Sequence, residues 1–122
     1  MMTTIGASIS DLSKGSVTLQ APVSNGVTQQ QNYAHGGFVF SLADSAAGYA
    51  ALTLLPLANE VMTAELKINY LAAAKGTLYA RGRVLKPGRR LIVVAADVWA
   101  EDQGIRKQVA ALQGTMVPVS TG

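Results

Sequence analysis

The sequence predicts an α+β fold: an antiparallel β-sheet wrapped around one long central α-helix. Three observations carry this expectation. An N-terminal stretch alternates loosely like a hairpin, a single apolar segment of about five helical turns follows it, and four strand-like stretches separated by short turns complete the chain. The 122 residues suit a single domain, 1–122. A chain of this size buries roughly two-thirds of its unfolded surface.

Residues Ile5 to Val23 read as two short strands separated by Ser13-Lys14-Gly15, and Ser24-Asn25-Gly26 marks the next turn. A polar loop containing Gln29, Gln30, Gln31 and Asn32 then leads into His35-Gly36-Gly37. From Gly36 to Leu55 there is no proline and the residues are apolar nearly all round, which predicts a helix buried on most sides. Pro56 ends it. The longest apolar stretch, Phe38 to Ala58, approaches membrane-spanning length, but Asp44 interrupts it near its middle, where a charge costs about 2.5–3.5 kcal/mol on insertion scales. The helix is therefore expected inside the protein, with no membrane partner. Strands are expected at Met62–Leu71, Thr77–Leu85, Leu91–Trp99 and Lys107–Val119, divided by Ala74-Lys75-Gly76, Lys86-Pro87-Gly88-Arg89 and Asp102-Gln103-Gly104. Turns this short predict that consecutive strands are antiparallel neighbours. Leu91 to Ala96 is apolar on both faces, so either the helix and a partner cover opposite sides or the strand is central and protected.

Charged residues make up only 14% of the chain and hydrophobic ones 49%, against roughly 25% charged in ordinary soluble domains. Disorder is excluded, and surface covered by another copy of the chain is expected. There is no cysteine and one histidine, His35, which excludes disulfides, thiolate zinc sites, thiol nucleophiles and multi-histidine metal clusters. Chemistry is left to carboxylates, hydroxyls, amides and backbone. Met1 to Ser10 has neither the basic cluster nor the apolar core of a secretory signal, so a cytoplasmic location is expected. The net charge of +3 is unevenly spread: Arg81, Arg83, Lys86, Arg89 and Arg90 crowd together, with no acidic residue between Glu65 and Asp97. One end of the molecule should attract a compact polyanion. Nucleic acid is a poor fit, because only 6% of residues are aromatic and none interleaves these arginines.

Asp44 is the residue that most needs a reason, since an ionised carboxylate among apolar residues is expensive unless paired or hydrogen-bonded. It either caps a helix beginning at Ser45 or does chemistry, as general base or as nucleophile. Gly36 and Gly37 fall at a helix start, where backbone N–H groups lack partners and can hold a developing oxyanion; the alternative is a tight turn needing special dihedrals. His35 either orients this loop or moves protons. Gly37 and Asp44 are separated by about 10 Å along one helix, so a single reacting carbon cannot easily touch both within one chain. The simplest shared site takes Gly37 from one subunit and Asp44 from another.

The run His35-Gly36-Gly37-Phe38-Val39-Phe40-Ser41-Leu42-Ala43-Asp44-Ser45-Ala46 resembles the helix start of hotdog-fold acyl-CoA thioesterases, in particular the phenylacetate-degradation (PaaI-like) branch. Glu65-Leu66-Lys67-Ile68-Asn69-Tyr70-Leu71 and Pro87-Gly88-Arg89-Arg90 are similar to that family's strand and turn motifs, and the resemblance covers about residues 5–118. It departs in two places: Gln29 stands where relatives usually have asparagine, and the additional N-terminal helix of many relatives has no room here. The resemblance implies a hotdog fold and hydrolysis of an aryl- or medium-chain acyl-CoA to free acid and coenzyme A. Asp44 would be base or nucleophile, Gly36 and Gly37 would form the oxyanion hole beside His35, Gln29 and Thr63 would orient water or thioester, and Asn32 would fix the loop. Lys86, Gly88, Arg89 and Arg90 would meet the coenzyme A phosphates, although a merely solvated basic turn reads equally well. No metal or redox cofactor is implied, since coenzyme A enters as part of the substrate. A homodimer or dimer-of-dimers homotetramer is expected. The alternatives are a non-catalytic acyl-CoA binding protein on the same fold and a hotdog dehydratase or hydratase.

Overall fold

The computed structural model describes residues 6–23, 33–56 and 59–120. Strands β1 (Ser8–Ser13) and β2 (Ser16–Pro22) form the N-terminal hairpin, and helix α1 (Gly36–Leu52) follows. Strands β3 (Asn59–Tyr70), β4 (Thr77–Lys86), β5 (Ile92–Asp102) and β6 (Ile105–Ser120) complete one six-stranded antiparallel sheet in the order β1-β2-β4-β5-β6-β3. The expected turn at Ser24–Gly26 and the candidates Gln29 and Asn32 lie outside the described residues.

Alanine sets how closely α1 meets the sheet. Its buried side is Val39, Leu42, Ala43, Ala46, Ala47, Ala50 and Ala51, a stripe at three- and four-residue spacing whose small side chains let the helix backbone reach β4. Gly82 completes the approach: a Cβ there would stand 2.2 Å from the Ala46 carbonyl oxygen, so no other residue fits. The opposite side of α1 is not covered as the sequence suggests. Ser41, Asp44, Ser45 and Gly48 are half-buried and Tyr49 is exposed, because this side of the helix meets the sheet only at its flank, where Thr63 and Val61 of β3 reach Asp44 and Gly48.

The helix ends at Leu52, three residues earlier than expected. Thr53 terminates it: its hydroxyl donates to the Ala50 carbonyl at 2.6 Å and accepts from Gly15 N–H at 2.7 Å, tying the helix end to the β1–β2 turn. Leu54 and Leu55 then make tighter i→i−3 bonds before Pro56.

Two expectations about the sheet are corrected. Ala74-Lys75-Gly76 does not join neighbours, since β3 pairs with β6 at one edge while β4 lies between β2 and β5. Residues 71–76 instead cross the end of the sheet, held by Leu71 N–H on Val109 O at 2.7 Å, Ala34 N–H on Ala74 O at 2.8 Å and Val23 N–H on Gly76 O at 2.7 Å. Six extended residues reach about 20 Å, enough for three inter-strand spacings of about 4.8 Å. The doubly apolar strand β5 is interior, with Ile92, Val94, Ala96, Val98 and Ala100 buried toward the helix. On its outer face Ala95 is paired in register with Arg83 and Gln113, whose long side chains flank it.

A β-bulge in β3 between Thr63 and Glu65 decides what the site contains. The extra residue shifts the alternation, so Val61 and Thr63 before it and Leu66, Ile68 and Tyr70 after it all face the helix.

Candidate active site

Asp44 lies midway along α1, not at its start, so the capping alternative falls away. Its Oδ1 accepts a hydrogen bond from the Thr63 hydroxyl at 2.8 Å, and that hydroxyl also lies 3.4 Å from Met116 Sδ. Among the described residues no cation pairs with Asp44. The carboxylate opens into a cavity of about 200 Å³ lined by Gly48, Tyr49, Leu52, Val61 and Met116 beside Asp44, Ser45 and Thr63. One oxygen is fixed by a neutral donor while the group borders an open hollow partly walled by Leu52, Val61 and Met116. That arrangement suits a base or nucleophile better than an ion-pair partner.

At the helix start, His35 is the N-cap residue and its Nδ1 accepts from Gly37 N–H at 3.0 Å. The neutral ring then carries its proton on Nε2. Phe38 and Val39 N–H both bond the His35 carbonyl, at 3.0 and 3.2 Å. Neither Gly36 nor Gly37 has a positive φ, so the special-dihedral alternative is not what requires glycine here. The missing side chains instead leave the first turn open: a Cβ on Gly37 would crowd His35 Nδ1 at 3.2 Å, and one on Gly36 would touch the Tyr70 ring at 3.5 Å. Tyr70 is a residue the sequence reading missed. Its hydroxyl donates to the Gly36 carbonyl at 2.9 Å, joining the end of β3 to the helix start beside a cavity of about 340 Å³ lined by Ala34, Val39, Leu71, Ala74 and Val109.

The structure therefore brings Thr63 to Asp44, and His35 and Tyr70 to the Gly36–Gly37 turn, but it does not bring these two clusters together. Both lie on the single helix α1, seven residues apart. The expected basic end is also smaller than five residues. Arg83 pairs with Asp97 at 2.5 Å on the outer face of the sheet, and Arg81 Nε donates to Ser16 Oγ at 3.2 Å. Lys86, Gly88, Arg89 and Arg90 remain at the exposed β4–β5 turn. Gly88 has a packing reason for its identity, since a Cβ there would stand 2.3 Å from the Leu91 carbonyl oxygen. The register Thr63↔Met116↔Ile92 places this turn at the same end of the sheet as Asp44 and away from the helix start.

The family described as "Thioesterase superfamily" matches residues 31–107. A Saccharolobus solfataricus protein named "Putative esterase" is 40% identical over 114 residues, covering 93% of this chain and 73% of its own length. A thioesterase family protein from Silicibacter pomeroyi superposes with a TM-score of 0.95 at 37% identity, over 98% of this chain and 88% of that one. The Bacillus halodurans protein BH2602, solved with CoA, gives a TM-score of 0.76 at 29% identity over 84% of this chain and 66% of that one. No described helix is long and apolar enough to cross a membrane. Among the described residues one helix laid across a six-stranded antiparallel sheet makes the hotdog architecture, and with these matches the chain belongs to the thioesterase superfamily of hydrolases.

Proposed function

We propose that this protein hydrolyses the thioester of an aryl- or medium-chain acyl-CoA, adding water across the acyl carbon–sulfur bond to give the free acid and coenzyme A. The observation that carries the reading is Asp44, a carboxylate with one oxygen held by Thr63 at 2.8 Å and the group open to a cavity of mixed polar and apolar lining between α1 and β3. Asp44 acts on the thioester carbonyl either through a water molecule or directly, and both routes use only this ionised group. The acyl group occupies the hollow against the apolar side chains of Leu52, Val61 and Met116, beside Tyr49.

Gly37 N–H of the partner protomer supplies the oxyanion donor, its bond to the exposed His35 ring being exchanged for one to the substrate oxygen. The long edge strand β3 supports a dimer. It runs for 12 residues, pairs among the described residues with β6 on one side only and carries exposed Met62, so its other edge offers backbone donors and acceptors to a second chain. Two-fold pairing along β3 sets two α1 helices antiparallel on the same side of a continuous sheet, the helix start of each toward the middle of the other. Lys86, Arg89 and Arg90 hold the nucleotide phosphates of coenzyme A, consistent with a CoA-bound structural relative and with guanidinium geometry. A panel of acyl-CoA thioesters assayed for free thiol tests the reading. Turnover of aryl or medium-chain substrates is expected, and absence of thiol release from every class overturns it.

A further inference from the structure

We infer that Tyr70 is a positioning residue for the oxyanion donor, acting through the peptide bond between Gly36 and Gly37. The proposal rests on the hydrolytic reading above. The Gly36 carbonyl that accepts the Tyr70 hydroxyl at 2.9 Å belongs to the same amide unit as the Gly37 N–H. In a helix this carbonyl already accepts from the N–H four residues on, and its second lone pair is the one Tyr70 takes. Electron density drawn toward the carbonyl oxygen makes the N–H of that amide more positive, so a hydrogen bond on one side strengthens the bond donated on the other. The chain therefore runs from the phenol O–H through the Gly36 carbonyl and Gly37 N–H to an acceptor.

The amide is already aimed at an acceptor outside the backbone. His35 Nδ1 occupies that place at 3.0 Å, on an exposed side chain that can swing aside for a substrate oxygen. Tyr70 also fixes the amide in space. Its phenol is anchored at the end of β3, where Leu71 N–H is bonded to Val109 O at 2.7 Å, so the first turn of α1 is tied to the sheet rather than left to fray. The Tyr70 ring packs directly over position 36, lying 3.5 Å from where a Cβ would stand.

The experiment compares the parent with Tyr70→Phe and with 3-fluorotyrosine placed at position 70, a stronger donor of nearly the same shape. In each, kcat and KM are measured on a hydrolysed acyl-CoA, and the Gly37 amide proton resonance is followed in ¹⁵N-glycine-labelled protein. For Tyr70→Phe the expected result is an upfield shift of that resonance and a kcat lower by about two- to tenfold at nearly constant KM, the scale of a 10–30% change in one oxyanion-hole bond. The fluorinated protein should keep or exceed parental kcat and shift the resonance the other way, which a purely structural tyrosine would not do. An unmoved Gly37 resonance overturns the proposal whatever the activity. So does a Tyr70→Phe protein whose resonance moves while its kcat stays parental, in an enzyme that turns over. A parent that releases no thiol from any thioester overturns the hydrolytic reading instead, and the resonance still reports whether the phenol polarises the amide. Should Tyr70→Phe fail to fold, the fluorinated protein alone decides, since identical kcat and resonance in it and the parent overturn the proposal.

Discussion

Asp44 sits in a largely apolar helix, half-buried beside Thr63 and open to a hollow between α1 and β3, and the proposed chemistry uses that access. Asp44→Asn keeps an oxygen to accept from Thr63, so the fold should survive while the charge is lost. We expect kcat to fall by at least about 10²-fold with a thermal midpoint close to parental. Parental turnover in a well-folded variant would remove Asp44 from the reaction. Gly82 makes the opposite kind of demand, with no chemistry and no space. Gly82→Ala drives a methyl into the Ala46 carbonyl at 2.2 Å, where neither backbone can yield easily, and should cost about 3 kcal/mol in urea unfolding. A variant as stable as the parent would mean that the helix lifts off β4 freely. Asp44 and the paired glycines were legible in the sequence because each is anomalous where it stands. Tyr70 was not, because it lies an odd number of residues from Thr63. In a regular strand the two would face opposite sides, and only the bulge after Thr63 puts both against the helix.

Among the elements, the β4–β5 turn carries the substrate prediction. Arg89 and Arg90 are exposed there, at the Asp44 end of the sheet, and Arg83 is excluded by its bond to Asp97. Replacing both Arg89 and Arg90 by Ala should raise KM for CoA thioesters several-fold with little change in kcat, while pantetheine thioesters, which lack the nucleotide phosphates, are turned over as by the parent. Equal effects on the two substrate types would make the turn structural. The strand positions were readable from alternation and turn residues, but the pairing of β3 was not. A Gly-containing turn marks where a strand stops; it does not say whether the chain folds straight back or crosses the sheet end to a distant neighbour. Here the crossing is decided by the bond acceptors at Val109 and Ala74, which exist only once β6 and the helix entry are in place.

At the scale of the whole molecule, the proposed sharing of one reacting carbon by Gly37 and Asp44, which lie seven residues apart on one helix, would make dimerisation a chemical requirement. It also supplies a test that sedimentation alone does not. Asp44→Asn keeps Gly37, and Gly37→Pro keeps Asp44 while deleting the amide N–H, so each homodimer should be inactive. Mixed after unfolding and refolding together, half the dimers are hybrids with one intact site of two, and about a quarter of parental activity should return. No recovery in a mixture that sedimentation proves to be dimeric would mean that Gly37 and Asp44 do not share a site across the interface. The low charge of the chain and the open edge of β3 among the described residues agree with this arrangement, for both leave surface that a second copy would cover.

The sequence by itself determined the fold class, the helix and the strand-forming stretches, because hydrophobic periodicity and turn residues are local properties that act before any long-range contact forms. It also determined which residues are chemically out of place, Asp44 foremost. Tertiary structure alone decided the strand order, the shift of facing in β3 that delivers Thr63 and Tyr70 to the helix, and the pairing that takes Arg83 out of the basic end. Each of these is a relation between segments far apart in the chain, set by which backbone groups find partners when the sheet closes over α1, and no local pattern records it.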